Sequence, residues 1–113
     1  MRSPERIEFL SDIITAAIEG GIGYWSECVS YSWQDSPPTA VINEIEPHDE
    51  DLGELFITID TIAHGLSVMK QKYPEFYKVG MRDADLENDA GEIDATLADD
   101  IVQCGLFEEL IYG

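Results

Sequence analysis

Apolar residues recur every three or four positions near the start of the chain, which is the spacing of one face of a helix. They are Ile7, Leu10, Ile14, Ala17 and Ile18. The segment SPE at 3–5 supplies a capping serine, a first-turn proline and an acid that suits the positive helix end. The glycine pair at 20–21 is typical of a left-handed helix end. The pattern predicts a helix over about residues 4–19.

The spacing then changes to alternation, which is typical of strands. In GIGYWSECVSYSW one face carries Trp25, Val29, Tyr31 and Trp33. We interpret this face as core, with Trp33 as a possible interface anchor if the second face of the sheet is open. TAVINEIE and LFITID predict two further strands, and the short connections favour an antiparallel meander.

The second half of the chain returns to helical spacing. Asp60 is the expected cap of a second helix that ends before Pro74. A third helix is expected over about residues 93–107, with four residues facing inward: Ile93, Leu97, Ile101 and Cys104. We therefore predict an α+β fold in one domain, 1–113: an N-terminal helix, a three-stranded antiparallel sheet and two C-terminal helices packed on one face.

Charge narrows the classes of partner. The chain has 113 residues, of which 24 are acids and 6 are bases, so its formal net charge is −18. Such an excess repels nucleic acid and anionic membranes, so the expected partner is a basic protein. The first residues lack a secretory signal, and Cys28 and Cys104 are far apart, so we expect a cytoplasmic chain with reduced cysteines.

The stretch DADLENDAGEID at 83–94 has the length and acid spacing of an EF-hand loop, which binds Ca²⁺ through oxygen ligands. Three positions depart from that motif, because Asn88 replaces the turn glycine, Ala90 a larger apolar residue, and Asp94 the bidentate glutamate. A calcium-binding module is therefore an alternative to a solvated acidic loop with Asp94 near a helix start.

Other chemistry finds little support in the sequence. His48 and His64 are isolated, whereas a zinc site needs three or four Cys or His ligands. There is no glycine-rich phosphate loop after a strand and no nucleophile elbow. We predict no enzyme, no cofactor and no metal.

The acids are segregated from the bases. Seven acids and no base lie between Glu44 and Asp60, and ten acids and no base lie between Asp83 and Gly113. Dense acids without intervening bases are what an imitation of duplex DNA requires. The residues predicted to bind a basic partner are Asp49, Glu50, Asp51, Asp83, Asp85, Glu87, Asp89, Glu92 and Trp33. The alternative function is a structural or assembly component, which could form a homo-oligomer through the tryptophan face.

Two segments carry a resemblance. IITAAIEGGIGYW, together with ATLADDIVQCGLFEELIYG near the end, resembles small acidic proteins of phages and other mobile elements. The resemblance implies an interaction protein, and some proteins of this kind block host defence by imitating DNA. It assigns no activity and no functional residue.

Overall fold

The first helix is present and continues further than its sequence pattern indicated. The computed structural model describes residues 2–113. Helix α1 spans Pro4–Ala16, and the backbone continues through a π-helical turn, Ala17–Gly21. The expected left-handed end at Gly20-Gly21 is wrong, because neither glycine has a positive φ. Gly21 is instead required by a close approach, since a Cβ atom there would lie 2.5 Å from the carbonyl oxygen of Ala95.

The predicted antiparallel meander is confirmed. Strands β1 (Ser26–Tyr31), β2 (Ala40–Glu44) and β3 (Leu55–Ile57) form one sheet in the order β1-β2-β3, with both pairs antiparallel. Pro37 and Pro38 lie in the β1–β2 connection, where no ladder hydrogen bond is needed from them.

The interpretation of the aromatic face as core is only half right. Trp25 is buried and Tyr31 is half-buried, but Val29 is 51% exposed and Trp33 is 65% exposed. The register of β1 against β2 shifts between Cys28 and Ser30, so strict alternation fails within the strand. Trp33 lies beyond the end of β1, in the connection to β2.

The second half contains four helices where two were expected. They are α2 (Ile59–Lys72), α3 (Pro74–Gly80), α4 (Arg82–Glu87) and α5 (Ala95–Phe107). The cap of α2 is Thr58, not Asp60, because the Thr58 hydroxyl accepts from the backbone amides of residues 60 and 61. α5 begins at the cap Asp94, as expected.

α2 and α5 cross closely. A Cβ atom at Gly65 of α2 or at Gly105 of α5 would collide with the backbone of the opposite helix. One contiguous core fills the space between the helices and one face of the sheet. Its fully buried side chains include Phe9, Leu10, Ile13, Ile14, Ile42, Ile57, Ile62, Met69, Ile101 and Val102. Within residues 2–113, no helix combines the length and the apolar character needed to cross a membrane.

Candidate functional site

The outer side of α1 carries an acidic ridge, defined by Glu5, Glu8 and Asp12. All three are exposed, while the opposite side of the helix is buried in the core. At about 1.5 Å of rise per residue, successive members lie about 4.5 and 6 Å apart along the helix axis. The spacing of three and four residues places them on one face of the helix. The sequence pattern that buries α1 therefore also aligns these acids.

The ridge is a place where negative charge is already costly. The pKa of Asp12 is raised, first because its carboxylate is partly removed from water and second because Glu8 repels it. A cation bound here would relieve that repulsion. Desolvation and a like charge together make the ridge a candidate for binding positive groups.

A concavity of about 470 Å³ lies on one side of the acidic ridge, between α1 and residues 88–93. The three ridge acids line it together with Asp89. No lysine or arginine among the described residues lines this space. Asp89, from the predicted acidic segment 83–94, therefore faces helix α1. The sequence pattern predicted no site residue in this helix.

A second concavity, of about 510 Å³, lies between α1 and the β1–β2 connection. It shares Glu8 and Asp12 with the first concavity and adds Trp33 and Asp35. A neighbouring space of about 420 Å³ is lined by Thr15, Glu19, Tyr31 and Trp33. The Thr15 and Tyr31 hydroxyls are 2.8 Å apart, which ties α1 to β1 at this point. The exposed indole and the ridge therefore line one surface.

The remaining acids of segment 83–94 do not form a single face. Asp85 is bound internally, because Arg6 pairs with it at 2.7 Å and the Tyr77 hydroxyl donates to it at 2.5 Å. Its side chain is only 15% exposed, so little of this predicted partner-binding carboxylate faces solvent. Burial and the bond to Asp85 raise the pKa of Tyr77 to about 12, which keeps its hydroxyl protonated as a donor.

Four other predicted residues of this segment are exposed, and they point to different surroundings. Asp83 and Glu92 line a concavity with α3 and α5 residues, whereas Asp89 lines the one beside α1. Glu87 is exposed at the last residue of α4. Asp89 also accepts a hydrogen bond from the Gly91 amide at 2.9 Å. The segment thus contributes two acids to one concavity and one acid to the other.

The predicted acids of the turn after β2 are all exposed. Asp49 accepts a hydrogen bond from the Asp51 amide at 3.0 Å, and Glu50 lies between them. None of the hydrogen bonds or ion pairs found within residues 2–113 joins this turn to residues 83–92.

The geometry of residues 83–94 is not that of a calcium loop. Residues 82–87 form α4, Asn88 ends it with a left-handed backbone, and residues 90–92 form a short 3₁₀ turn. Arg6 donates to the side-chain oxygen of Asn88 at 3.0 Å. No group of three potential metal ligands occurs among the described residues.

Two buried carboxylates form networks that the sequence patterns did not indicate. Asp99 accepts from Trp25 Nε1 at 2.8 Å, from the Tyr24 hydroxyl at 2.6 Å and from Gln103 Nε2 at 2.9 Å. The Gln103 side-chain oxygen accepts from the backbone amides of Ile111 and Tyr112, both at 2.8 Å. Only the position of Asp99 and Gln103 within the apolar run of α5 could have drawn attention to them. The network fastens the C-terminal residues to α5.

The second network centres on Glu44, whose side chain is 1% exposed. The Tyr112 hydroxyl donates to it, and His48 Nδ1 lies 2.6 Å from its carboxylate. Burial raises the pKa of Glu44, but the bonds from Tyr112 and His48 outweigh burial and lower it. The Tyr112 ring also stacks on Trp25 at a centroid distance of 4.9 Å. These contacts fasten Tyr112, near the end of the chain, to β2 and the turn that follows it.

Comparisons of the chain with protein-family models, curated proteins and solved structures found no match. The resemblance to acidic proteins of mobile elements stays a prediction, and function rests on the site itself.

Proposed function

We propose that this chain is an interaction protein that binds a basic protein partner through the surface on either side of α1. The observation that carries the proposal is the acidic ridge flanked by two concavities, one of which also presents Trp33. Interface centres are enriched in exposed aromatic anchors, and charge on the rim guides association. The acids on this surface favour a partner that carries positive charge. The two free cysteines support a reducing compartment such as the cytoplasm.

The average charge of the surface does not by itself imitate DNA. Dividing 6488 Å² of surface among 18 net charges gives about 360 Å² per charge. Duplex DNA, treated as a cylinder of roughly 10 Å radius with one charge per about 1.7 Å, has roughly 100 Å² per charge. Only local lines of acids approach that density. The spacing of about 4.5 and 6 Å along the acidic ridge comes within a factor of two of the roughly 3.4 Å per phosphate of one strand.

The test is a capture experiment with three charge-reversed variants, each of which changes three exposed acids to lysine. The sets are Glu8, Asp12 and Glu19 beside α1; Glu50, Asp51 and Glu54 after β2; and Asp83, Glu87 and Glu92 around α4. We expect wild type to retain a basic protein at low salt and release it at high salt. Only the α1 set should abolish retention. If either control set abolishes it and the α1 set does not, the partner binds elsewhere.

Imitation of nucleic acid, as expected of an antidefence protein, is the sharper form of this proposal. It requires that the partner use one surface for DNA or RNA and for this chain. A short duplex should then compete with the chain for the captured partner, and the competition should weaken as salt rises. A ternary complex of partner, duplex and chain would reject imitation while leaving the binding of a basic partner intact.

A structural or assembly role is the second candidate, and exposed apolar residues favour it. Phe56 is 63% exposed on β3 and pairs with Val41 of β2. Like charge opposes association of identical chains, so a homo-oligomer would require salt. Sedimentation at low and high salt, with Phe56→Ala as the variant, tests this role.

A further inference from the structure

Trp33 and the outer side of α1 line a groove of a definite length. Trp33 and Thr15 line both of the spaces on this side of the helix, so the two spaces adjoin each other. Their lining residues run from Pro4 at the start of α1 to Glu19 in the π-helical turn, a distance of about 22 Å at about 1.5 Å per residue. An extended peptide advances about 3.3 Å per residue, so six or seven residues would fill the groove.

The chemistry of the groove is an aromatic face between carboxylates. Trp33 is 65% exposed in a turn closed by two backbone hydrogen bonds, from Ser32 to Thr39 at 2.8 Å and from Asp35 to Ser32 at 3.2 Å. The acids along its length are Glu8, Asp12, Glu19 and Asp35. Among the described residues, no base lines either space.

We propose that this groove takes an extended, arginine-bearing segment of a basic partner. One guanidinium stacks on the Trp33 indole, and neighbouring ones pair with Asp12 and Asp35. Arginine fits better than lysine because its planar group stacks on aromatic faces and bonds carboxylates through two parallel donors. This inference rests on the proposed function and adds to it the form of the partner, which is an extended segment instead of a folded basic face.

The probe is a blocked heptapeptide of alternating arginine and glycine, compared with the same peptide carrying lysine. The chain has two tryptophans, and only Trp33 is exposed, so its fluorescence reports binding in the groove while buried Trp25 serves as an internal reference. We expect saturable, salt-sensitive quenching by the arginine peptide. The lysine peptide should bind several-fold more weakly.

Trp33→Ala is the decisive variant, with binding followed by calorimetry because the fluorophore is gone. Loss of an interface anchor should weaken the arginine peptide by about thirtyfold, equivalent to about 2 kcal/mol. Phe56→Ala is the matched control, since Phe56 is an aromatic residue of similar exposure outside the groove. It should leave binding unchanged.

The outcomes separate this inference from the proposed function. The proposal of an arginine-binding groove would be overturned if Trp33→Ala and Phe56→Ala lose equal affinity for the arginine peptide. Equal affinity of the wild-type chain for the arginine and lysine peptides would also overturn it. If Asp12→Asn weakens both peptides while Trp33→Ala does not, basic partners bind the acidic ridge but no extended segment uses the groove. Absence of saturable binding by the arginine peptide at low salt would also overturn the groove, and the capture experiment then decides the proposed function alone.

Discussion

The neighbouring glycines at the end of the first helix should respond in opposite directions to the same substitution. A Cβ atom at Gly20 would lie 3.6 Å from the Ala95 side chain, which is an ordinary contact. A Cβ atom at Gly21 would lie 2.5 Å from the Ala95 carbonyl oxygen and 3.4 Å from the Asp99 amide nitrogen, and both are backbone atoms. Backbone atoms cannot move aside by a side-chain rotation, so helix α5 itself must shift if Gly21 is replaced by alanine.

The magnitudes follow from these distances. Gly20→Ala should stabilise the fold by about 0.4–1 kcal/mol, because alanine restricts the unfolded chain. Gly21→Ala restricts the unfolded chain equally, but α5 must withdraw by at least about 0.9 Å for the Cβ atom to reach ordinary van der Waals distance from the Ala95 oxygen. Overpacking of this kind costs typically about 1–3 kcal/mol. For a chain of this size, about 1 kcal/mol corresponds to roughly 4 °C in Tm.

Thermal and urea unfolding, followed by circular dichroism, measure both changes. We expect Tm to rise by about 2–4 °C for Gly20→Ala and to fall by up to about 10 °C for Gly21→Ala. The shift should also disturb the bond between Trp25 and Asp99, which near-ultraviolet dichroism can detect. If Gly21→Ala is as stable as Gly20→Ala, the close approach of the π-helical turn to α5 does not exist.

Three further predictions use the charges. Burial, followed by repulsion from neighbouring carboxylates, raises the pKa of Asp100 to about 6. Between about pH 4 and 6 the native chain therefore holds a proton on Asp100 that the unfolded chain has released, so the contribution of this group to stability falls as pH rises through that range. In urea unfolding, Asp100→Asn should raise the free energy of unfolding at pH 7.5 and leave it unchanged near pH 4. Asp85→Asn should cost about 1–3 kcal/mol, because the amide lacks the charge that pairs with Arg6 and keeps only one of the two acceptor oxygens. Asp83→Asn, at a side chain that is 83% exposed, should stay within about 0.5 kcal/mol in the same assay. The Tm of wild type should rise between low salt and about 0.1 M, because ions then screen repulsion beyond about 10 Å; a flat response would contradict close packing of the acids.

Helices with regular apolar spacing were predictable because burial of one face dictates that spacing. α1 and α5 lie close to their predicted bounds, and Asp94 caps α5 as expected. The glycines 20–21 show the limit of this reasoning. Their presence marked a special backbone position, but the cause is contact with a helix some 75 residues later in the sequence, which no local pattern contains.

The prediction that the aromatic face of β1 is core was only half right, for a different reason. Alternation assigns faces only while the register is constant, and the irregularity between Cys28 and Ser30 ends that constancy. Trp33 lies beyond the end of β1 and is exposed, and its interpretation as an interface anchor stays a prediction. Apolar character alone cannot distinguish these outcomes, because an exposed tryptophan and a buried one look alike in sequence.

The candidate site was harder to predict than the fold. The acids at 83–94 are concentrated in sequence, but α4 and the turn after it separate them in space. One acid forms an internal ion pair, and others line two different concavities. The acidic ridge on α1 has fewer acids per residue, yet the helix aligns them along one side. Surface charge density depends on how the backbone folds the charges together, so the number of acids along a segment does not give the number on one surface.

The scarcity of bases also explains how the buried acids are held. Three carboxylates with little exposure each accept a hydrogen bond from a tyrosine hydroxyl: Glu44 from Tyr112, Asp85 from Tyr77 and Asp99 from Tyr24. Burial and these carboxylates raise the pKa of all three tyrosines to about 12, so each remains a protonated donor. At Glu44 and Asp99 the neutral tyrosine donor helps to satisfy a buried carboxylate without one of the six lysines and arginines, whereas Asp85 also pairs with Arg6. The fold therefore retains its negative charge while fastening its interior, and the charge left on the outside is available to a partner.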